Sequence, residues 1–187
     1  MKTYILPSLK LTVALIILCS ALYPLLIAGV ARMTPGGGNG VIISQNGKIL
    51  GYENIGQKFT DPKYFWGRPS AVDYNAAGSC GSNKGPSNPD YLVVVQARID
   101  TFMVYHPGIS KSQIPAEMVT ASGSGLDPNI SVNAAKVQVK RIATNRNISE
   151  KILNELIAEC TETVFLGLFG PEKINVLKLN IKLDQLK

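Results

Sequence analysis

The chain has 187 residues, 45% of them hydrophobic, with 19 basic and 13 acidic residues and a formal net charge of +6. That length suits one domain plus an anchor. Setting aside Lys2, Lys10 and Arg32, which flank an apolar run, leaves 16 basic against 13 acidic residues. With no basic stripe interleaved by aromatics this argues against nucleic acid, and three cysteines without CxxC spacing beside a single histidine argue against zinc.

Residues 11–31 (LTVALIILCSALYPLLIAGVA) form 21 uncharged positions, and about 20 helical residues cross a hydrocarbon core. A retained anchor is the favoured reading, because the run is longer than the apolar stretch of a cleaved signal. Gly29-Val30-Ala31 keeps the cleaved alternative open. A lipoprotein is rejected, since Leu18 precedes Cys19 where a small residue is needed. Pro24 predicts a kink, which a membrane helix tolerates. Lys2 and Lys10 precede the span, and only Arg32 follows it before Lys48. That bias places the N-terminus in the cytoplasm and the bulk of the chain outside. The expected organisation is a short cytoplasmic segment at 1–10, a transmembrane helix at 11–31, a Gly-rich tether and lead-in at 32–47, and a soluble domain at 48–187.

Thr34 to Gly40 (TPGGGNG) reads as a flexible tether. Lys48 to Phe59 reads as a hairpin or bent strands. Tyr74 to Pro89 (YNAAGSCGSNKGPSNP) is dense in Gly, Asn, Ser and Pro, and predicts a long irregular loop. Asn88-Pro89 is a helix start, with Leu92, Val95, Ile99, Phe102 and Met103 at helical spacing before His106-Pro107-Gly108. Glu117 to Ala121 predicts a short strand. Ser131 caps a helix with Val132, Ala135, Val139 and Ile142 on one face, and with a solvated face of Lys136, Lys140, Arg141 and Arg146. Ser149 caps the next helix, with a stripe of Ile152, Leu153, Leu156, Ile157 and Cys160, expected to run to Gly167, Gly170 and Pro171. Leu177, Leu179, Ile181 and Leu183 alternate with Lys178, Asn180 and Lys182, which predicts a closing strand with a bulge near Ile174 and Val176. The fold class is α+β: one N-terminal transmembrane helix followed by a single mixed extracytoplasmic domain.

Motifs for chemistry are weak. Gly78 to Lys84 misses a phosphate loop, because Asn83 and Gly85 flank the lysine where Gly and Ser or Thr are needed. Gly123-Ser124-Gly125 lacks the spacing of a nucleophile elbow. His106 reads as a surface-loop residue. Ser79, Ser82, Ser122 and Ser124 leave a membrane-tethered Ser-Lys hydrolase as the alternative. Cys80 and Cys160 read as free thiols, with pairing in an oxidising compartment as the alternative. Trp66 and Arg68 form either a recognition patch or, for Trp66, a plug of the core. Asn129-Ile130-Ser131 and Asn147-Ile148-Ser149 match the glycosylation pattern, but helix capping suffices to explain them.

Tyr64 to Ala71 (YFWGRPSA), Gly81 to Pro89 (GSNKGPSNP), Val119 to Pro128 (VTASGSGLDP), Ile174 to Leu177 (INVL) and the N-terminal span together resemble the C subunit of the bacterial Kdp potassium-transporting ATPase. The resemblance covers nearly the whole chain, departing at Cys80 and Lys84. It implies a non-hydrolytic subunit of a potassium importer in the bacterial inner membrane. The implied partners are a channel-like subunit, a P-type ATPase subunit that hydrolyses ATP, and a small single-helix subunit. It further implies a catalytic chaperone that raises the affinity of the P-type ATPase subunit for ATP. No cofactor and no metal of its own is implied; potassium is the transported ion. Gln138 is the residue that matches a nucleotide-related position. Trp66, Arg68, Pro69, Asn83, Ser122, Gly123, Ser124, Gly125 and Asp127 are candidate interface or motif residues. An external domain implies that the ATP effect is indirect; a cytoplasmic one implies direct contact through Gln138.

Overall fold

The computed structural model describes residues 2–164 and 167–186, with side chains from Tyr4 onward. The chain forms two compact units, residues 1–42 and 43–187.

The first unit is helical: α1 (Lys2–Ile16), a widened turn (Ile17–Leu22) and α2 (Tyr23–Ala31). The widening has a local cause. Pro24 has no N–H to donate, and the preceding backbone shifts register, so that the Tyr23 N–H reaches the Leu18 carbonyl, five residues back. The apolar helical stretch runs Tyr4–Ala31, 28 residues with a mean hydropathy of 2.5 in its most apolar window, none of that window buried. It therefore begins before the predicted span and carries Lys10 within it. At a rise of about 1.5 Å per residue it extends about 42 Å, more than the roughly 30 Å of a hydrocarbon core. The TPGGGNG segment forms successive turns: Gly37 N–H donates to Thr34 O at 2.9 Å and Asn39 N–H to Gly36 O at 3.0 Å. Gly36 sits at φ 82° with Gly40 O 2.5 Å from where a Cβ would stand, so only glycine fits.

The second unit opens with a hairpin, β1 (Ile42–Gln45) and β2 (Lys48–Tyr52). Its turn is Asn46-Gly47, with φ of 51° and 76°. Positive φ at both central residues is the two-residue turn that matches strand twist. The hairpin thus precedes the one expected at 48–59. The irregular loop from 74 to 89 is as expected, broken by one turn at Ala76–Gly78. Helix α3 (Pro89–Tyr105) starts where predicted, with the Asn88 side chain accepting the Tyr91 N–H.

The expected strand at 117–121 is absent. Ala116–Met118 makes a short helical turn instead. Its neighbours satisfy their backbone through α3 side chains: Val119 O accepts from Arg98, and Ala121 N–H donates to the Tyr91 hydroxyl. Then come β3 (Asn129–Ile130), α4 (Val132–Lys136), α5 (Val139–Arg146), α6 (Glu150–Cys160), β4 (Thr161–Glu162), β5 (Lys173–Asn175) and α7 (Val176–Gln185). The predicted helix after Ser131 is broken at Val137-Gln138. Helix α6 ends at Cys160, short of the glycines that were to stop it, and passes into β4.

The largest departure is at the C-terminus. The alternation from Leu177 to Leu183 folds as helix α7, capped by Asn175, which accepts the Lys178 N–H at 3.1 Å. Val176, Leu179, Asn180 and Leu183 are its buried stripe, the i, i+3, i+4, i+7 spacing of a helix. The residues expected to bulge are instead the junction of β5 and α7. The sheet order is β3-β5-β4, all antiparallel, with Ile130 opposite Ile174 and Thr161 opposite Ile174 on the other edge. Ile142, Leu153, Ile157, Ile174, Leu179 and Leu183 close the core beneath it.

Candidate functional site

The segment Asp61 to Arg68 opens in a turn, in which the Tyr64 N–H donates to Asp61 O at 3.1 Å, and from Phe65 onward it runs outside any sheet. Two side-chain amides take the place of a neighbouring strand. Asn180 on α7 accepts the Phe65 N–H at 2.8 Å and donates to the Phe65 carbonyl at 2.9 Å. Gln138, the N-cap of α5, accepts the Trp66 N–H at 2.8 Å and donates to the Trp66 carbonyl at 3.2 Å. Both amides are buried, so each unmade bond would carry its full desolvation cost.

Arg141 completes the clasp. It was expected on a solvated face, but it is 4% exposed. Its guanidinium donates to the Pro62 carbonyl, to Tyr64 O at 3.0 Å and to Gln138 Oε1 at 2.7 Å, and it lies 4.2 Å over the Trp66 ring. Burial lowers its pKa to about 10, so it is charged at neutral pH. Its Nε–H donates to His106 Nε2 at 3.0 Å. His106 therefore carries its proton on Nδ1, which donates to Phe102 O at 2.7 Å. This histidine was expected in a surface loop. It is 2% exposed, and burial pushes its pKa down to about 4, with the Arg141 charge acting in the same direction.

The held segment carries the sequence motifs. Arg68 pairs with Asp127 at 3.0 Å. The Ser122 N–H donates to Pro69 O at 3.1 Å, and the Ser79 hydroxyl donates to Ser124 O at 2.8 Å. Gly125, at φ 68°, packs against Val72 and Cys80 where a Cβ would stand within 2.8 Å of each. Trp66, Arg68, Pro69, Ser122, Gly123, Ser124, Gly125 and Asp127 are thereby brought to one region, while Asn83 stands exposed in the irregular loop and Gln138 lies behind the Trp66 backbone. The Ser124 hydroxyl builds a turn by accepting the Leu126 N–H, and the Ser79 hydroxyl ties its loop to the Ser124 carbonyl; that arrangement lends the hydrolase reading no support. Cys80 and Cys160 are both free thiols.

Trp66, Arg68 and Pro69 form one wall of an open groove of about 700 Å³, whose floor is α3. Trp66 is both things foreseen for it. It packs on the core cluster through its inner face and lines the groove with the rest. Sequence reasoning missed Asn180, Asn175, Arg141 and His106. The available signal was a polar residue on the apolar stripe of a helix: Asn180 shares its face with Leu179 and Leu183 once 176–185 is read as helical.

A family model described as KdpC, K+-transporting ATPase, c chain, matches residues 5–185. A potassium-transporting ATPase KdpC subunit of Flavobacterium johnsoniae is 59% identical over 96% of both chains. One from Bacteroides fragilis is 48% identical over 100% of this chain and 99% of the relative. One from Caldanaerobacter subterraneus subsp. tengcongensis is 46% identical over 94% and 92%.

Proposed function

This chain belongs to the KdpC family, the c chain of K+-transporting ATPases, and from that premise we propose that it is a non-hydrolytic accessory subunit of a potassium-importing complex. The observation that carries the reading is a family match running from residue 5 to residue 185, through the apolar helix and the domain alike. The helix anchors the chain, its N-terminus cytoplasmic and its domain outside. The partners are a channel-like potassium subunit, a P-type ATPase subunit and a small single-helix subunit.

The chain raises the affinity of the complex for ATP as a coupling between distant sites. Two things support an indirect route. The basic residues before the span favour an external domain. The Gln138 amide also has both ends engaged, on Trp66, Ala134 and Arg141, so reaching a nucleotide requires breaking the clasp.

The test uses Cys80, an exposed thiol. Intact cells are treated with a membrane-impermeant maleimide, with Cys80→Ser as the control. Labelling that depends on Cys80 supports an external domain. Labelling only after the membrane is broken overturns that topology and makes Gln138 a direct nucleotide contact to be tested by the KM for ATP of a Gln138→Ala complex. Deletion of the chain is expected to abolish high-affinity potassium uptake; normal uptake by an intact complex would overturn the accessory role.

A further inference from the structure

Helix α3 is left uncovered by its own domain. Of its 17 residues only Ile99 and Phe102 are buried, while Val93 is 69% and Val104 77% exposed. Val93, Ala97, Thr101 and Tyr105 recur at every fourth position, which aligns them in one row along the helix. That row is the floor of the groove, facing Trp66 and Pro69. At about 1.5 Å per residue it runs for about 18 Å. Bulky Val93 and Tyr105 stand at its ends, with small Ala97 and Thr101 between them. The shape is a trough that a rod enters from above.

The trough is apolar along its length, and Lys58, Arg68, Arg98 and Asp73 stand at its margin. Asp73 holds Lys58 at 2.6 Å and Asp127 holds Arg68 at 3.0 Å. Arg98 reaches the Val119 carbonyl at 3.2 Å rather than a carboxylate, so its charge is not neutralised by that contact. We infer that this groove receives an apolar, rod-like segment of a partner polypeptide that carries a carboxylate for Arg98. A second copy of this chain fits less well, because in a two-fold contact the groove itself would have to supply the carboxylate, and Asp73, the carboxylate among its lining residues, already pairs with Lys58. A lipid surface fits less well, because the trough is concave. The inference rests on reading the chain as a subunit of an assembly.

The experiment places a benzophenone amino acid at position 97 of the full chain in the detergent-solubilised complex, with the same probe at position 155, an exposed site on α6, as the control. The expected product is a crosslink from position 97, and not from 155, to one segment of another subunit with apolar residues and an Asp or Glu. Arg98→Glu is expected to lower recovery of that subunit about tenfold, with Arg98→Lys retaining most of it. A second variant, Ala97→Leu with Thr101→Leu, fills the trough without touching the core and is expected to give the same loss. An unchanged denaturant midpoint of the isolated full chain in detergent, followed by far-UV circular dichroism, confirms that each variant is folded. Crosslinks to lipid, to a second copy or to nothing would overturn the inference, as would unchanged recovery with both variants. Unchanged assembly in these variants beside lost uptake on deletion sinks the groove alone, whereas normal uptake after deletion sinks the accessory role itself.

Discussion

Helices α6 and α3 are both largely apolar, yet they end in different situations. Helix α6 buries Leu153, Leu156 and Ile157 in the core and turns Glu150, Glu155 and Glu159 to solvent. Helix α3 buries two residues and leaves Leu92, Val93, Val94 and Val104 exposed. The first is amphipathic and satisfied by its own domain. The second has apolar residues around most of its circumference, and a helix of that kind is stable in water only where something else covers it. The domain's core is built mainly by α4, α5, α6 and α7 with the sheet, while α3 adds Phe102 to it and presents most of its length as surface.

That contrast can be broken by mutation of the full chain in detergent, followed by denaturant unfolding through Trp66 emission. The largest effect is expected at Arg141→Ala. It leaves the Pro62 and Tyr64 carbonyls and His106 Nε2 without their donor, at a cost of about 3–5 kcal/mol. A loss under about 1 kcal/mol would show that the clasp is not a stabilising element. Leu153→Ala, at a fully buried position of α6, is expected to lose about 3 kcal/mol through transfer and cavity terms.

The next effect is on pH dependence. His106 is held neutral in the fold by burial, with a pKa of about 4 against its ordinary 6.5. The unfolded chain binds its proton first as pH falls, so stability is full above about 6.5 and declines toward 4, by roughly 2–3 kcal/mol. His106→Gln keeps a donor for Phe102 O and an acceptor for Arg141, and is expected to flatten that decline. An unchanged profile would assign the acid sensitivity to other groups. The smallest effect is expected on α3: Val104→Ala, at 77% exposure, should alter stability by less than about 0.5 kcal/mol. A loss resembling that of Leu153→Ala would mean that α3 is packed in solution after all and would dissolve the contrast.

Much of the helical architecture was legible because its signals are local. Asn88-Pro89 marked the start of α3, and Ser131 and Ser149 marked α4 and α6, since a side-chain oxygen that satisfies an orphan N–H three residues on acts within one turn. The hairpin lies ahead of its expected place although Asn46-Gly47 is a strong turn signal, because those residues fall in the Gly-rich lead-in at 32–47, whose composition also reads as tether. The site was half legible. Its motif residues stood out as a set, but the side chains that assemble them did not.

What the sequence determined by itself was the apolar N-terminal helix and its irregularity beside Pro24, the capped helices and the motifs that carry the family resemblance. Each depends on neighbours within a few residues. Only the tertiary structure decided the rest. From Leu177 to Leu183 the pattern satisfies a period of 2 as well as one of 3.6, and the choice fell to a cap at Asn175 and to the backbone of Phe65, 115 residues away from Asn180. Arg141 and His106 follow the same logic. A charged or titratable side chain is solvated by default, and it is buried only where donors and acceptors from distant segments replace the water it gives up. Here those are Pro62, Tyr64 and Phe102, whose meeting with α5 no local pattern records.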